Sequence, residues 1–451
     1  MSNFLTDMSQ SRWLLVLALI AIVVRLPWVL VMDERELRFD EVAYVSHAKS
    51  LNAGQGYVDH RGARSSFWPV GYPAFLALAY STPGVDSSVG IGLQIILLTL
   101  ICLVTSAIAE RSFGARIGRT AALLLAIYPN YIFYSTLMLS EPLCTLLLVL
   151  MTGLLLQTSA AGRKGLAGYS VATGILAGLV ALVRPGFLFL PVLLPFWGRA
   201  QKMGWRRIVI LTLIVGLTSL LVMAPWMIRN YNVTGAWFEI ASNGGLVFWG
   251  GNHPDALGGV LRPDAVYTDI GAWTAEYQSS LGYRLGIESI LSDIPAALRR
   301  SVQKLSYFFA IETDGAMWNF KGLEDAGRGV LPVLAAGLAY IAVVMSGIFA
   351  LMHGLGNKGF GYWFLLLSAY SIAIAVVFEA DPRYHFPLMP FFMVYAAAGM
   401  ISYIPASIRM NRGGQLRIIK DTKIIYWSAA MVVFFLLIVF NLWLKTLEGR
   451  L

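Results

Sequence analysis

An acidic pair, Asp40-Glu41, lies a few residues past the first long apolar run, Trp13 to Val31, within Arg38-Phe39-Asp40-Glu41-Val42-Ala43-Tyr44. Lipid and low-dielectric protein penalise a charge that is not paired, hydrated or used, so an acid at the bilayer surface is a functional candidate. One account of Asp40 is local: Tyr44, Ala48 and Leu51 follow at helical spacing, and an aspartate opening that helix caps it. The other is chemical: the carboxylate can take a proton from an acceptor hydroxyl or bind a cation. A second acid, Glu141 in Leu139-Ser140-Glu141-Pro142, occupies a short turn between two apolar runs, where helix capping and a role beside Asp40 are both open.

Cations interrupt apolar stretches in the same manner: Arg184 in Leu182-Val183-Arg184-Pro185, and Arg383 in Glu379-Ala380-Asp381-Pro382-Arg383-Tyr384-His385-Phe386-Pro387. Each needs an anion. Asp381, Glu379 or Glu141 would serve as interhelical partners, whereas a lipid-linked phosphate would be gripped bidentately by a guanidinium at the bilayer surface. Lys304, on an amphipathic stretch, is a third candidate phosphate ligand. The run Phe67-Trp68-Pro69-Val70-Gly71-Tyr72-Pro73 reads either as an interfacial aromatic belt or as a rigid turn lining a cleft. Tyr44, Tyr72, Tyr384 and His385 are the expected cleft side chains. His47, His60, His253, His353 and His385 form no His-Glu-x-x-His spacing. No Walker lysine loop, dinucleotide glycine fingerprint or Gly-x-Ser-x-Gly elbow occurs, so nucleotide hydrolysis and serine esterase chemistry lack support.

The elements that must hold these residues follow from composition. Of 451 residues, 57% are hydrophobic and 13% charged, and the mean hydropathy is +0.67, well above a soluble globular protein. Apolar runs near the bilayer-spanning length recur without strand alternation, which predicts an all-α polytopic membrane protein and excludes a β-barrel. Eleven spans are expected, at roughly 13–31, 89–109, 120–137, 142–157, 168–183, 186–197, 208–228, 329–352, 360–378, 384–405 and 424–444. The short run 186–197 reads as a tilted half-span or part of a kinked helix. The first run leads into a charged loop and reads as a retained span rather than a signal peptide.

The net charge of +9 comes from short basic blocks between the runs, which suits loops on the cytoplasmic side better than a nucleic-acid face. With those blocks inside, residues 32–88 form a first outer loop and 229–328 a long second one. The latter has apolar positions at three-to-four spacing from Tyr283 to Phe309, interrupted at Pro295, which predicts helices lying on the bilayer. Cys102 and Cys144 fall in or beside apolar runs and read as small buried hydrophobes, with no disulfide expected.

Taken in order, Asp40-Glu41-x-x-Tyr44, Pro69-Val70-Gly71-Tyr72-Pro73, the Glu141 turn, Leu182-Val183-Arg184-Pro185, Pro225-Trp226-x-x-Arg229-Asn230-Tyr231, the stretch Asn243-Gly244-Gly245 to Gly250-Gly251-Asn252, and Arg383-Tyr384-x-x-Pro387 resemble bacterial integral-membrane glycosyltransferases. The resemblance is to protein O-mannosyltransferases and the aminoarabinose transferases of lipid A, which share the GT-C fold, and it covers nearly the whole chain. It implies one membrane domain over residues 1–451 in the bacterial cytoplasmic membrane, with its active site facing the periplasm. It implies transfer of a sugar, with inversion, from a polyprenyl-phosphate donor to a glycan, lipid or protein acceptor. Asp40 matches the family's catalytic acid-base aspartate, Glu41 its neighbour, Glu141 a later loop acid, and Arg383 a basic residue whose expected partner is the carrier phosphate. A divalent metal held by Asp40 and Glu141 is left open, because related folds work with and without one. The chain departs from larger members by ending soon after residue 444, which keeps their acceptors from being carried over. Rival classes are a flippase of lipid-linked saccharides, a non-catalytic scaffold, and an oligosaccharide polymerase or ligase. The flippase reading fits less well, since the notable charges cluster at span ends rather than span centres.

Overall fold

The computed structural model describes residues 8–32, 35–59, 62–80, 87–235, 240–259, 266, 275–320, 326–354, 357–403, 408–410, 416–418 and 436–438. The first apolar run forms α1 (Gln10–Val23) and α2 (Leu26–Val31), with the ladder broken where Pro27 cannot donate. The loop beyond it holds α3 (Asp40–Asn52) and α4 (Gly71–Ala79). Then come α5 (Ser87–Phe113), α6 (Ala115–Ala126), α7 (Pro129–Phe133), α8 (Glu141–Thr158) and α9 (Arg163–Val183). They are followed by α10 (Leu194–Ala200) and α11 (Trp205–Thr234). The second long loop carries α12 (Gly244–Asn252), α13 (Ala275–Ser292), α14 (Ile294–Phe308) and α15 (Asp314–Met317). Finally α16 (Ala326–Met352), α17 (Lys358–Val377) and α18 (Met389–Ala398) return to the bundle.

Among the described residues eight helical stretches are long and apolar enough to cross a bilayer: Gln10–Val31, Ser88–Phe113, Glu141–Thr158, Arg163–Val183, Trp205–Thr234, Gly329–Met352, Lys358–Val377 and Pro382–Ile401. The chain is an all-α, multi-pass membrane protein. Leu217, Leu221 and Leu338 stand exposed on these helices, as lipid-facing positions do. Two further expected spans, 120–137 and 186–197, yield no such stretch. The run 120–137 breaks at Pro129 into α6, α7 and a 3₁₀ turn at Tyr134–Thr136. The run 186–197 becomes 3₁₀ turns at Pro185–Phe187 and Leu190–Leu193 before α10, because Pro185, Pro191 and Pro195 remove backbone donors. Hydropathy registers neither break. The run 424–444 lies outside the described residues except for 436–438, which are helical. One short antiparallel pair, β1 (Ile408–Met410) with β2 (Leu416–Ile418), sets Arg409 opposite Arg417.

Two close approaches fix the loops on the bundle. At Gly71 a Cβ would lie 2.7 Å from backbone atoms of Leu182 and Val183, so α4 rests directly on the end of α9. At Gly251 a Cβ would fall 1.9 Å from the Phe378 carbonyl oxygen, so α12 seats on the end of α17. The amphipathic helices α13 and α14 turn outward with their apolar side: Ile287, Leu291, Ile294, Leu298 and Val302 are exposed, whereas Arg300 and Lys304 are buried against the protein. Asp293 caps α14 by accepting from the Ala296 amide at 2.9 Å.

Candidate active site

These docking contacts enclose a cavity of about 410 Å³ at one end of the bundle. Its polar wall is Asp40, Ser140, Glu141, Arg184, Glu379, Arg383 and Tyr384, and its apolar wall includes Pro185, Phe187, Leu188, Ile374 and Phe378. Each charged group arrives from a different element: Asp40 opens α3, Glu141 opens α8, Arg184 ends α9, and Arg383 sits in the 3₁₀ segment Pro382–Leu388. Arg383 is the hub. Its Nη1 donates to Asp40 Oδ2 at 2.9 Å and lies 3.8 Å from Glu141 Oε1, while its Nε lies 3.5 Å from Asp381. Arg184 Nη1 lies 3.0 Å from the same Glu141 oxygen.

Aromatic faces border both guanidiniums. Tyr384 lies under Arg184 at 5.1 Å, and Trp318 under Arg383 at 5.1 Å. The Tyr384 hydroxyl donates to Glu379 at 3.3 Å. Tyr44 lines the cavity, and its hydroxyl is held well above the usual tyrosine range by burial and then by Asp40 and Glu141. The described residues thus bring together Asp40, Glu141, Arg184, Arg383, Tyr44 and Tyr384.

Four other expected site residues stand apart from the cavity. Glu41 faces away from it, paired with Arg35 and accepting from the Met138 amide at 2.7 Å and the Arg38 amide at 3.2 Å. Burial pushes its carboxyl up, against the pull of Arg35. Tyr72 is buried behind Tyr44, the ring centroids 5.3 Å apart. His385 turns inward, its Nδ1 at 2.8 Å from the Phe308 carbonyl and its Nε2 at 3.5 Å from Glu312. Lys304 donates to Asn252 Oδ1 at 2.9 Å and to the Val376 and Val377 carbonyls at 3.0 and 3.3 Å. Burial first, then Arg300, brings its amine down to about 7, with Glu379 acting in the opposite sense.

Three neighbours escaped the sequence reading. Tyr370 on α17 donates to the Gly186 carbonyl at 2.6 Å and accepts from the Phe189 amide at 3.2 Å, pinning the broken segment after Arg184. A tyrosine in the middle of an apolar helix carries no sequence signal of that kind. Trp318 lies in a long loop with no periodicity to mark it. Phe39, directly before Asp40, has φ 47° and ψ −120°, a conformation that costs a non-glycine residue about 1–3 kcal/mol.

A divalent ion does not fit these donors. Among the described residues no three His, Cys, Asp or Glu side chains stand close enough to share one, and Asp40 and Glu141 already face guanidiniums.

The sequence matches the Alg9-like mannosyltransferase family over residues 60–236. No curated protein matches it. Among solved structures, the oligosaccharyltransferase AglB from Archaeoglobus fulgidus, in complex with an inhibitory peptide and a dolichol-phosphate, is similar with a TM-score of 0.51 and 13% identity, over 98% of this chain and 56% of that one. The Archaeoglobus fulgidus oligosaccharyltransferase tethered with an acceptor peptide gives a TM-score of 0.52 and 12% identity, over 95% and 54%. ArnT from Cupriavidus metallidurans, bound to undecaprenyl phosphate, gives a TM-score of 0.42 and 16% identity, over 88% of this chain and 79% of that one. The chain spans about half the length of the archaeal proteins it resembles. The likeness to the archaeal structures shows a shared membrane fold, and the family match covers residues 60–236 of the 451.

Proposed function

We propose that the protein transfers a sugar from a polyprenyl-phosphate carrier to an acceptor hydroxyl, with inversion, and that Asp40 is the general base. The observation that carries this reading is the hub at Arg383, which holds Asp40 at 2.9 Å while Arg184 stands across Glu141 in the same cavity. A phosphate entering between the two guanidiniums competes with the carboxylates for them and releases Asp40 to accept a proton. The acceptor oxygen then bonds to the anomeric carbon, its proton passes to Asp40, and the carbon–oxygen bond to phosphate breaks. The electron pair leaves on the phosphate, where Arg184 and Arg383 stabilise it. The apolar wall of Pro185, Phe187, Leu188 and Ile374 suits the isoprenoid end of such a donor.

The same reading sets the cavity on the periplasmic side of a bacterial cytoplasmic membrane, opposite the basic blocks Arg163-Lys164 and Arg206-Arg207. It counts eleven crossings, the broken segments 115–136 and 185–200 and the run 424–444 included, with outer loops at 32–88 and 229–328 in a single domain. Donor and acceptor are its partners, the acceptor being a glycan, lipid or protein, and nucleic acid is not one. Membranes containing wild type or Asp40→Asn, matched for folded protein, are given a panel of radiolabelled polyprenyl-phosphate sugars. Transfer by the wild type that collapses by about 100-fold or more in Asp40→Asn is expected. Equal transfer by both removes Asp40 from the chemistry, and no transfer from any donor overturns the reading.

A further inference from the structure

A short way past Arg383, and outside the cavity lining, the protein buries a carboxylate against an imidazole. Glu312 is wholly buried and His385 is 2% exposed. The Phe308 carbonyl, 2.8 Å from His385 Nδ1, can only accept, so that nitrogen carries a hydrogen. If that were the only one on the ring, Nε2 would set a lone pair against the Glu312 carboxylate, 3.5 Å from its Oε2. One further proton between the two removes the repulsion, giving an imidazolium beside a carboxylate or a neutral ring beside a carboxylic acid. Neither Nε2 nor Glu312 Oε1 finds a hydrogen-bond partner among the described residues, so the two groups have each other.

The pair joins the two stretches of chain that meet at the Arg383 guanidinium. His385 belongs to the same 3₁₀ segment, Pro382–Leu388, as Arg383. Glu312 leads through α15 to Trp318, whose ring lies under that guanidinium at 5.1 Å. Each member is held in turn. Tyr128 donates to Glu312 Oε2 at 3.2 Å, and Asn130 donates to the Glu312 carbonyl at 2.6 Å. The His385 ring stacks on Tyr340 with centroids 4.6 Å apart, and the Tyr131 hydroxyl donates to the Phe386 carbonyl at 3.1 Å. A 3₁₀ segment containing Pro382 and Pro387 lacks the backbone ladder that would fix an α-helix, so side chains must set its register. For stability alone apolar residues would serve, since a buried ion pair often stabilises no better than an apolar pair of the same volume. What the polar pair adds is a single arrangement, because any slip leaves a buried charge or lone pair unmet. That precision matters at Arg383, where a misplacement of about 1 Å costs about 100-fold in rate.

Resting on the transferase reading above, we propose that Glu312 and His385 are positioning residues, which share one proton and fix the Arg383 guanidinium where the donor phosphate binds, without touching substrate. The test uses the full chain in lipid nanodiscs, with variants matched for folded protein. Glu312→Ala and His385→Ala should each lower kcat about 30- to 100-fold and leave the acceptor KM within about twofold of wild type. His385→Asn keeps a donor for the Phe308 carbonyl but does not reach Glu312, and should fall as far as alanine. Glu312→Gln, whose amide donates to Nε2 and still accepts from Tyr128, should recover most of the loss. In an Arg383→Ala background, His385→Ala should cost less than about threefold more, because the group it positions is gone. A purely structural role predicts the same loss in both backgrounds, and that result overturns the proposal. Glu312→Gln as inactive as Glu312→Ala overturns the shared proton and the proposal with it. If no donor gives transfer, the transferase reading falls and the pair is judged on binding of undecaprenyl phosphate. Binding weakened about tenfold by His385→Ala, and no further when that change is added to Arg383→Ala, upholds the positioning role; binding indifferent to His385→Ala overturns it.

Discussion

Replacing Arg383 with alanine removes one cation from among three carboxylates. Its Nη1 lies 2.9 Å from Asp40 Oδ2, a separation at which unit charges attract by about 6 kcal/mol at an effective dielectric of 20. Desolvation of the pair cancels part of that, and breaking a buried pair from one side costs about 3–5 kcal/mol. Asp40 keeps 20% side-chain exposure, so the lower end, about 3 kcal/mol, is expected. Asp40→Asn removes the other partner, and the double variant Asp40→Asn/Arg383→Ala leaves neither charge stranded. The thermal stabilities of the four proteins in nanodiscs should therefore show a favourable coupling of about 1–3 kcal/mol. Turnover should behave differently. Losing one guanidinium from the departing phosphate lowers kcat by about 100- to 1,000-fold, and the second substitution restores none of it. Arg383→Lys keeps the charge but not the fork that reaches both Asp40 and Asp381, so it should fall between wild type and alanine. Additive stabilities, or a folded Arg383→Ala within a few-fold of wild-type turnover, would refute the reasoning.

Glu41→Ala should destabilise by about 3–5 kcal/mol, because it strands buried Arg35 and the Met138 amide, while Glu41→Gln retains an acceptor and costs less, as denaturation midpoints would record. Lys304 gives a pH dependence. Its folded pKa of about 7 lies below the ordinary lysine value of 10.5, so between those values the unfolded chain binds more protons and stability rises with pH. The melting temperature should climb from pH 7 toward pH 10 in the wild type, and this climb should be smaller in Lys304→Met. Gly71→Ala drives a methyl group into the backbone of Leu182 and Val183, at a cost of about 1–3 kcal/mol, and should raise the donor KM by shifting the neighbour of Arg184.

Much of this site could be read from the sequence because the bilayer makes charge conspicuous. Asp40, Glu141, Arg184 and Arg383 each interrupt or border an apolar run, and they converge although Asp40 and Arg383 are 343 residues apart. Residue type alone did not separate Asp40 from Glu41. One step along a helix turns a side chain by about 100°, which sends Asp40 to the cavity and Glu41 to Arg35. The α13–α14 pattern identified amphipathic helices but not what faces their polar side, so Lys304 reads as a free phosphate ligand where the fold commits it to Asn252 and two carbonyls. Tyr72, in the aromatic turn, and His385, two residues past Arg383, read as cleft side chains, yet Tyr72 is buried behind Tyr44 and His385 turns toward the Phe308 carbonyl. Tyr370 and Trp318 act through contacts at long sequence separation, for which a single chain offers no signal.

The broken segment after Arg184 has a consequence for how the donor is counted. Phe189, Val192 and Phe196 project outward from it beside the apolar wall of the cavity. On the proposed transferase reading, a carrier bound through its phosphate keeps its tail among lipids and arrives by lateral diffusion, never leaving two dimensions. Its effective concentration is then a mole fraction of the membrane and not an amount per volume of buffer. Diluting proteoliposomes with buffer should leave the donor-limited rate per vesicle unchanged, whereas fusing them with plain phospholipid vesicles should lower it in proportion to the added lipid.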